Sequence, residues 1–419
     1  MLTVEAALAR ILASLPPGRT ERVALTDAYG RVLAEPVVSG LDLPPWDNSA
    51  MDGFAVRAAD VPGELAIGET IAAGHPATRA VASGTAARIM TGAPVPAGAD
   101  AVIMVEDAEV DGRKVRFAGA ARLGQHIRRR GSDVARGTTV LAAGHRLGAG
   151  AVGLLASLGL TEVQVGARPR VAILSTGDEV IPPGQPLGPG QIYSSNNHAL
   201  VGLTAAAGAI PVDLGNCPDD PAALRQRFAE AAEVADLVVT TGGVSVGDFD
   251  FVKEALGAVE FWRVAMKPGK PLAFGSLHGR PFFGLPGNPV SCMVNFLQFV
   301  RPALRTLMGD PRPFLPIVEA ELARPLKRAP GRVELLRVSL ARVDGRLIAT
   351  AAGGHQGSSN VLGMATANGF LLVDAAATEV SGHVHVQVFD PGYDDRTDAG
   401  YPWAAGAAGG AACCGPEGG

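Results

Sequence analysis

The stretch "ADLVVTTGGVSVGD" (residues 235–248) decides the fold. Leu237 to Thr241 form an apolar, β-branched run too short for a helix, which reads as a buried strand. It passes directly into a glycine-rich loop carrying Ser245 and Asp248. The same grammar begins upstream at Arg170, where "RVAILSTGDEV" is a buried strand ending in a polar loop. The helix-like "NNHALVGLTAAAGA", the strand "IPVDLG" and the helix-like "DDPAALRQRFAEAAEVA" follow, the last with Asp220 as N-cap and Pro221 at the first helical position. Strand and helix alternate to about Met308, which predicts βαβ units on a parallel sheet covered by helices on both faces. Ligands of such sheets bind beyond the carboxyl ends of the strands, where "STGDE" and "TTGGVSVGD" both fall.

Outward from this α/β segment the texture changes. "TVEAALARILASLP" places Val4, Leu8, Ile11, Leu12 and Leu15 on one helical face, with Thr3 as N-cap and Pro16 as the stop. From about Leu41 to Asp133 short β-like runs alternate with Gly/Pro turns, a small all-β insertion; helical character returns at "AVGLLASLGL". After Pro313 short strands return and suggest a compact β-domain. The expected organisation is multidomain α/β plus β. Residues 1–41 with 134–168 form a discontinuous N-terminal helical domain, 42–133 the β-rich insertion, 169–312 the α/β domain, 313–391 a small C-terminal β-barrel, and 392–419 a flexible Ala/Gly-rich tail.

Composition narrows the function classes. A chain of 419 residues exceeds one hydrophobic core, and 47% hydrophobic with 18% charged residues fits a well-packed protein. A net charge of -5 leaves no electrostatic footprint for nucleic acid, so an anionic ligand must meet local positive charge. The longest charge-free apolar run, "LGAGAVGLLASLGL", falls short of the about 20 residues a spanning helix needs. No signal peptide is read, and the four cysteines have neither zinc-site spacing nor a disulfide framework; a reducing cytoplasm is the expected compartment.

Several motifs carry chemistry. Gly242, Gly243 and Gly247 let backbone approach a ligand at a helix start, which suits phosphate. An ordinary βα turn accounts for one or two of these glycines, but not for Ser245, Asp248 and Asp250 in the same loop. "MKPGKPLAFG" sets Lys267 and Lys270 around a Pro-Gly turn, where they either share an anion or face solvent. "GLPGNPVSCMVNF" reads as a helix start with Asn288 as N-cap and Ser291 in the first turn. "HIRRRGSD" (residues 126–133) offers three arginines, and Arg332, Arg337 and "GGHQGSS" (residues 353–359) add donors near the C-terminus. His383 and His385 alternate on a strand and read as one exposed face. "PPWDNSAMDGFAV" (residues 44–56) is a stiff turn that explains Asp47 but leaves a second acid, Asp52, over. Carboxylates suit Mg²⁺ with phosphate oxygens, and cations with backbone amides suit oxyanions. The residues alone describe a metal-dependent enzyme acting on a phosphorylated or nucleotidylated small molecule.

The ordered series "DNSAMDGFAV", "TGAPVPAGADAVIMVED", "IRRRGSD", "STGDEV", "GQIYSSNNHAL", "TTGGVSVGDFDFVK", "MKPGKPLAFG", "GLPGNPVSCMV" and "GGHQGSS" resembles the molybdopterin molybdenumtransferase family, the MoeA type also found as the gephyrin E domain. The resemblance spans about Thr3 to Phe389. It implies a homodimer of four-domain subunits that inserts molybdate into adenylylated molybdopterin with Mg²⁺ and releases AMP. It also implies transient contact with the molybdopterin adenylyltransferase and with cofactor-accepting enzymes. By motif, Lys267, Lys270, Ser291, Arg337 and Ser358 resemble the molybdate-facing donors, with Gly242, Gly243, Ser245 and Gly247 lining the substrate. Asp52, Thr91, Asp133, Glu179, Asp219 and Asp250 resemble the catalytic groups, and Glu179, Asp219, Asp248 and Asp250 the Mg²⁺ side. Asp52, Thr91 and Asp133 would reach the cleft from the partner subunit. Trp46 and Phe54 depart from the family's commoner Phe and Tyr, so no tyrosine hydroxyl is present at position 54.

Overall fold

The structure, a computed structural model, describes residues 1–242 and 258–390. Two compact units form, one from Met1–Thr20 with the described residues from Gly166 on, the other from Glu21–Val165.

A six-stranded sheet organises the first unit, in the order Ile210–Cys217, Arg170–Thr176, Leu237–Thr241, Arg280–Leu285, Pro271–Leu277, Ala258–Arg263. The first four strands run parallel. Alternate residues feed opposite faces: Val171, Ile173, Leu237, Val239 and Phe283 pack in one core, Ala172, Leu174, Val238 and Phe282 in another. Helix Ser195–Ala207 covers the first face with Leu200 and Ala207, and helix Pro221–Val234 covers the second with Leu224 and Phe228. Burial on both faces is why these strands are apolar throughout rather than alternating. Asp220 caps the second helix as expected, its Oδ1 accepting from Ala222 N at 3.1 Å and Ala223 N at 2.8 Å.

The far edge of the sheet departs from the parallel expectation, because the last two strands pair antiparallel. The cause is local. His278 and Gly279 both have positive φ (48° and 80°) between the paired residues Leu277 and Arg280. Positive φ at both positions is the two-residue hairpin turn that fits strand twist, and such a turn joins only antiparallel neighbours. The N-terminal helix Val4–Ser14 is capped by Thr3, whose Oγ1 accepts from Ala6 N at 3.1 Å. Its Ala7 and Ile11 are buried in the core of Val171 and Ile173.

Strands Val333–Val343, Arg346–Ala351, Ile317–Leu322, His383–Val388 and Gly369–Val373 follow one another by pairing, and the last returns to the first, closing a five-stranded barrel. Val338, Leu340, Ala349, Leu371, Val384 and Val386 fill it, while His383 and His385 face outward. One more short strand, Met266–Lys267, adds parallel to the barrel edge with Lys267 opposite Glu334.

The second unit contains a mixed six-stranded sheet in the order Ala101–Met104, Gly53–Val56, Thr85–Ile89, Gly63–Ile71, Lys114–Phe117, Ala108–Asp111. Residues alternate across it too: Phe54 and Val56 join one core, Ala55 the other. Phe54 is 2% exposed, edge-on to Phe117, with the Arg88 guanidinium over its ring. A phenylalanine at this position is therefore a core residue here. Beyond the sheet, strand Thr20–Ala24 pairs with Glu162–Gly166 and helix Ala149–Ser157 packs nearby through Leu155.

Candidate active site

The parallel strands end level. Thr176 pairs with Cys217, and Thr241 pairs with Leu285, so four loops leave one sheet edge together. The loop after Thr176 carries Gly177, Asp178 and Glu179; the loop after Cys217 carries Asp219. Asp178 Oδ1 accepts from the Asp219 N–H at 3.2 Å, which ties the two acidic loops to each other. Asn216 ties them further, donating to the Gly177 and Val180 carbonyls at 3.0 Å. Gly177 has a φ of +131°, and a Cβ there would lie 2.4 Å from Glu179 Oε2, so the carboxylate folds back over the glycine.

Gly242 opens the third loop with a φ of +92°, and a Cβ there would lie 2.5 Å from the Thr176 carbonyl oxygen. Only glycine satisfies both constraints. Asn196 holds this turn against the fourth loop, its Nδ2 donating to Thr241 Oγ1 and to the Gly287 carbonyl, both at 2.8 Å. Asn196 lies within the quoted "GQIYSSNNHAL", yet its bridging role is invisible in sequence because both partners are distant in the chain. The expected phosphate-loop residues Gly243, Ser245 and Gly247, and the acids Asp248 and Asp250, lie outside the described residues.

The fourth loop leads into helix Pro289–Asn295, where one expectation is corrected. Asn288 occupies the N-cap position but its side chain makes no capping hydrogen bond. Instead the Val290 N–H donates to the Ser358 carbonyl at 3.1 Å, so the barrel loop of residues 353–360 caps this helix. That loop is held from beneath by Arg337, which is 1% exposed. Arg337 Nη1 donates to the Gly357 carbonyl at 3.1 Å and Nη2 to the His355 carbonyl at 3.0 Å. Gln356 Oε1 accepts from the Arg337 N–H at 2.9 Å, and Asn360 Nδ2 donates to the Gly353 and His355 carbonyls at 2.7 Å. The sequence presents Arg337 as a direct anion donor; the structure places its guanidinium under the loop that carries Ser358.

The lysine turn meets the same helix at its last residue. Asn295 Nδ2 donates to the Gly269 carbonyl at 3.2 Å and to the Ser291 carbonyl at 2.9 Å. Lys267 and Lys270 flank this turn, both exposed, and Ser291 is 5% exposed in the first helical turn. Ser291 and the Ser358 loop thus meet at the start of this helix, the turn of Lys267 and Lys270 is bonded to its last residue, and Arg337 holds the Ser358 loop. Lys267 Nζ contacts Glu334 Oε1 at 2.8 Å, a partner that sequence reasoning missed.

In the second unit Asp52 and Thr91 are brought together. Asp52 Oδ1 accepts from the Thr91 N–H at 2.7 Å and from Thr91 Oγ1 at 2.8 Å. The Thr91 backbone N–H, then its hydroxyl, then the charge of Arg88 hold the Asp52 carboxyl below the usual aspartate range. The stabilisation this gives is full above the unfolded value of about 3.9 and is lost as pH falls through the lowered folded value. Thr91→Val keeps the N–H but removes the hydroxyl, so the Asp52 pKa measured by carboxyl NMR titration should rise toward the ordinary value; an unchanged pKa would contradict this geometry. Asp133 is exposed, its N–H donating to the Leu43 carbonyl at 2.9 Å. Asp47 serves the turn, accepting from the Arg130 N–H at 2.8 Å and pairing with Arg129 at 2.6 Å. Arg130 in turn pairs with Asp42 at 2.7 Å. Two of the three clustered arginines are therefore spent on local acids.

Mg²⁺ takes few protein carboxylates and completes its octahedron with water and phosphate oxygens. The tied loops carry Glu179 and Asp219, with Asp178 bonded to the Asp219 N–H. Among the described residues no group of three or more His, Cys, Asp or Glu is arranged to hold a metal.

A sheet whose four parallel strands end in acidic and glycine-bearing loops, beside a barrel whose loop caps a helix start, defines an α/β protein with added β-domains. Comparison gives the class as the molybdopterin-binding type. The model described as a probable molybdopterin binding domain matches residues 172–306. The chain belongs to the MoeA family: the MoeA N-terminal region (domain I and II) matches residues 2–159 and the MoeA C-terminal region (domain IV) residues 319–388. It is 42% identical over 384 residues to molybdopterin molybdenumtransferase 2 of Mycobacterium tuberculosis, covering 88% of this chain and 94% of that one. It is 40% identical to the molybdopterin molybdenumtransferase of Haemophilus influenzae, covering 91% and 96%. The crystal structure of the molybdopterin biosynthesis MoeA protein from Pyrococcus horikoshii OT3 superposes with a TM-score of 0.80 at 30% identity, covering 93% of this chain and all of that one.

Proposed function

We propose that this protein is a molybdopterin molybdenumtransferase, which inserts molybdate into adenylylated molybdopterin, releases AMP and yields molybdenum cofactor. The observation that carries the reading is that one short helix gathers Ser291 and the Ser358 loop at its start and the Lys267–Lys270 turn at its end, within the unit whose sheet edge carries the tied acids. Molybdate is a tetrahedral dianion. Two ammonium groups neutralise it, and serine hydroxyls orient its oxygens. Arg337 keeps the Ser358 loop in place through its two carbonyl contacts. At the sheet edge Gly242 lets backbone approach the substrate's phosphates, and Asn196 fixes that turn against Gly287.

Glu179 and Asp219, together with Asp248 and Asp250, would hold Mg²⁺. The ion would stabilise charge on the anhydride oxygens as AMP leaves. Positioning and electrostatics carry such chemistry, since phosphoryl-type transfer needs little covalent help from the protein. Asp52, Thr91 and Asp133 complete the site in a homodimer, contributed by the partner subunit, with Asp52 kept ionised by Thr91. We place the protein in the cytoplasm, in transient contact with the adenylyltransferase that makes its substrate and the enzymes that accept its product. No helix among the described residues is long and apolar enough to cross a membrane.

The test supplies adenylylated molybdopterin, Mg²⁺ and molybdate, and follows AMP. Molybdate-dependent AMP release supports the reading; no AMP under these conditions overturns it. Tungstate has nearly the same shape and charge, so competition between the two oxyanions measures how far the site discriminates.

A further inference from the structure

Glu334 is a buried carboxylate on the first barrel strand, 6% exposed. Its two oxygens have different partners. Oε2 faces Arg328 Nε at 3.4 Å, both side chains being 7% exposed. Arg328 is itself fixed, donating to the Asp374 carbonyl at 2.7 Å and the Arg332 carbonyl at 2.8 Å. Oε1 receives Lys267 Nζ at 2.8 Å, and Lys267 is 57% exposed. The backbones are locked as well, since Met266 and Lys267 pair in parallel with Val333 and Glu334. Arg332 Nη1 adds a contact to the Met266 carbonyl at 3.3 Å. Lys270, across the turn, has no ion-pair partner among the described residues.

The two lysines are thus unequal. A buried Arg328–Glu334 pair is neutral by itself, and Lys267 adds one net positive charge held against it. Glu334 therefore does not cancel the cationic face toward an oxyanion; it spends its charge on Arg328 and its second oxygen on Lys267. A long lysine side chain that is already ordered binds an anion without the cost of ordering it at that moment.

We propose that Glu334 is a positioning residue for the oxyanion substrate. It pre-orders Lys267 as the fixed cation of the site. This rests on the molybdate role of Lys267 given above, so wild-type protein is measured first; absence of molybdate-dependent AMP release there overturns the reaction and this assignment with it.

With wild-type activity in hand, Glu334→Asp keeps the negative charge in this pocket but shortens the side chain by one methylene, which breaks the 2.8 Å contact to Lys267. Its molybdate KM should rise about five- to tenfold, the effect of losing one pre-ordered side chain. The kcat should stay within about twofold and the KM for adenylylated molybdopterin should not move, because only oxyanion capture is touched. Glu334→Gln should give the same split. If it leaves Arg328 without a counter-charge and fails to fold, Glu334→Asp alone decides. Adding Glu334→Asp to Lys267→Met should have no further effect on molybdate KM, since the two act as a unit. An unchanged or lowered molybdate KM in the folded Glu334 variant, or effects that simply add in the double variant, would overturn the assignment. Equal loss for both substrates would mark a merely structural role and overturn it too.

Discussion

Replacing Lys270 with alanine is expected to lower the rate of AMP release by about 10²–10³, the size found when one donor that stabilises developing charge is removed. The protein should remain folded. Lys270 is exposed and its structural contact is through the backbone, where its carbonyl accepts from the Val264 N–H at 2.7 Å. Trimming the side chain leaves that bond intact, so stability should change by no more than about 0.5 kcal/mol. Rate and thermal unfolding measured on the same preparation check the pair of claims. A wild-type rate would mean that this lysine faces only solvent, and a parallel loss of folding would mean that it serves packing. A protein that uses this fold as a scaffold would tolerate the change.

The second large effect concerns Arg337. Two charge-assisted hydrogen bonds to the His355 and Gly357 carbonyls hold the loop that caps helix Pro289–Asn295. Such bonds are worth about 1.5–3 kcal/mol each, offset in part by the cost of burying the guanidinium. Arg337→Leu should therefore destabilise the barrel by about 2–4 kcal/mol and abolish activity by loosening the Ser358 loop. Arg337→Lys is the discriminating variant. It keeps a positive charge but not the planar fork, and a loop-holding role predicts that it fails almost as fully as leucine. Amide exchange at Gly357 to Ser359 should quicken in both variants. Protected amides with lost activity would return Arg337 to direct contact with the oxyanion.

Much of this was legible from local chemistry. Two buried strands ending in polar loops predict a sheet covered on both faces, and alternate packing of Val171 and Ala172 into opposite cores shows why both faces are apolar. Thr3 and Asp220 cap their helices because capping depends on neighbours within three residues. Asn288 sat in the same pattern and does not cap, because a residue far along the chain, Ser358, supplies the acceptor. The ion pair of Lys267 with Glu334 was hidden for the same reason: a parallel pairing between remote strands brings them together. The antiparallel sheet edge turns on positive φ at His278, which nothing in the residue type demands. Sequence motifs singled out these side chains, while long-range hydrogen bonds decide which of them, like Arg337, are held beneath a loop.

In the proposed reaction molybdate insertion is accompanied by AMP release, so the two products should form together. Single-turnover reaction of the protein with adenylylated molybdopterin, Mg²⁺ and isotopically labelled molybdate, counting AMP released against molybdenum retained in the cofactor, tests it most directly. One AMP per molybdenum inserted is expected, with almost no AMP when molybdate is omitted. AMP released at the same rate without molybdate, or cofactor formed with the anhydride intact, would contradict it.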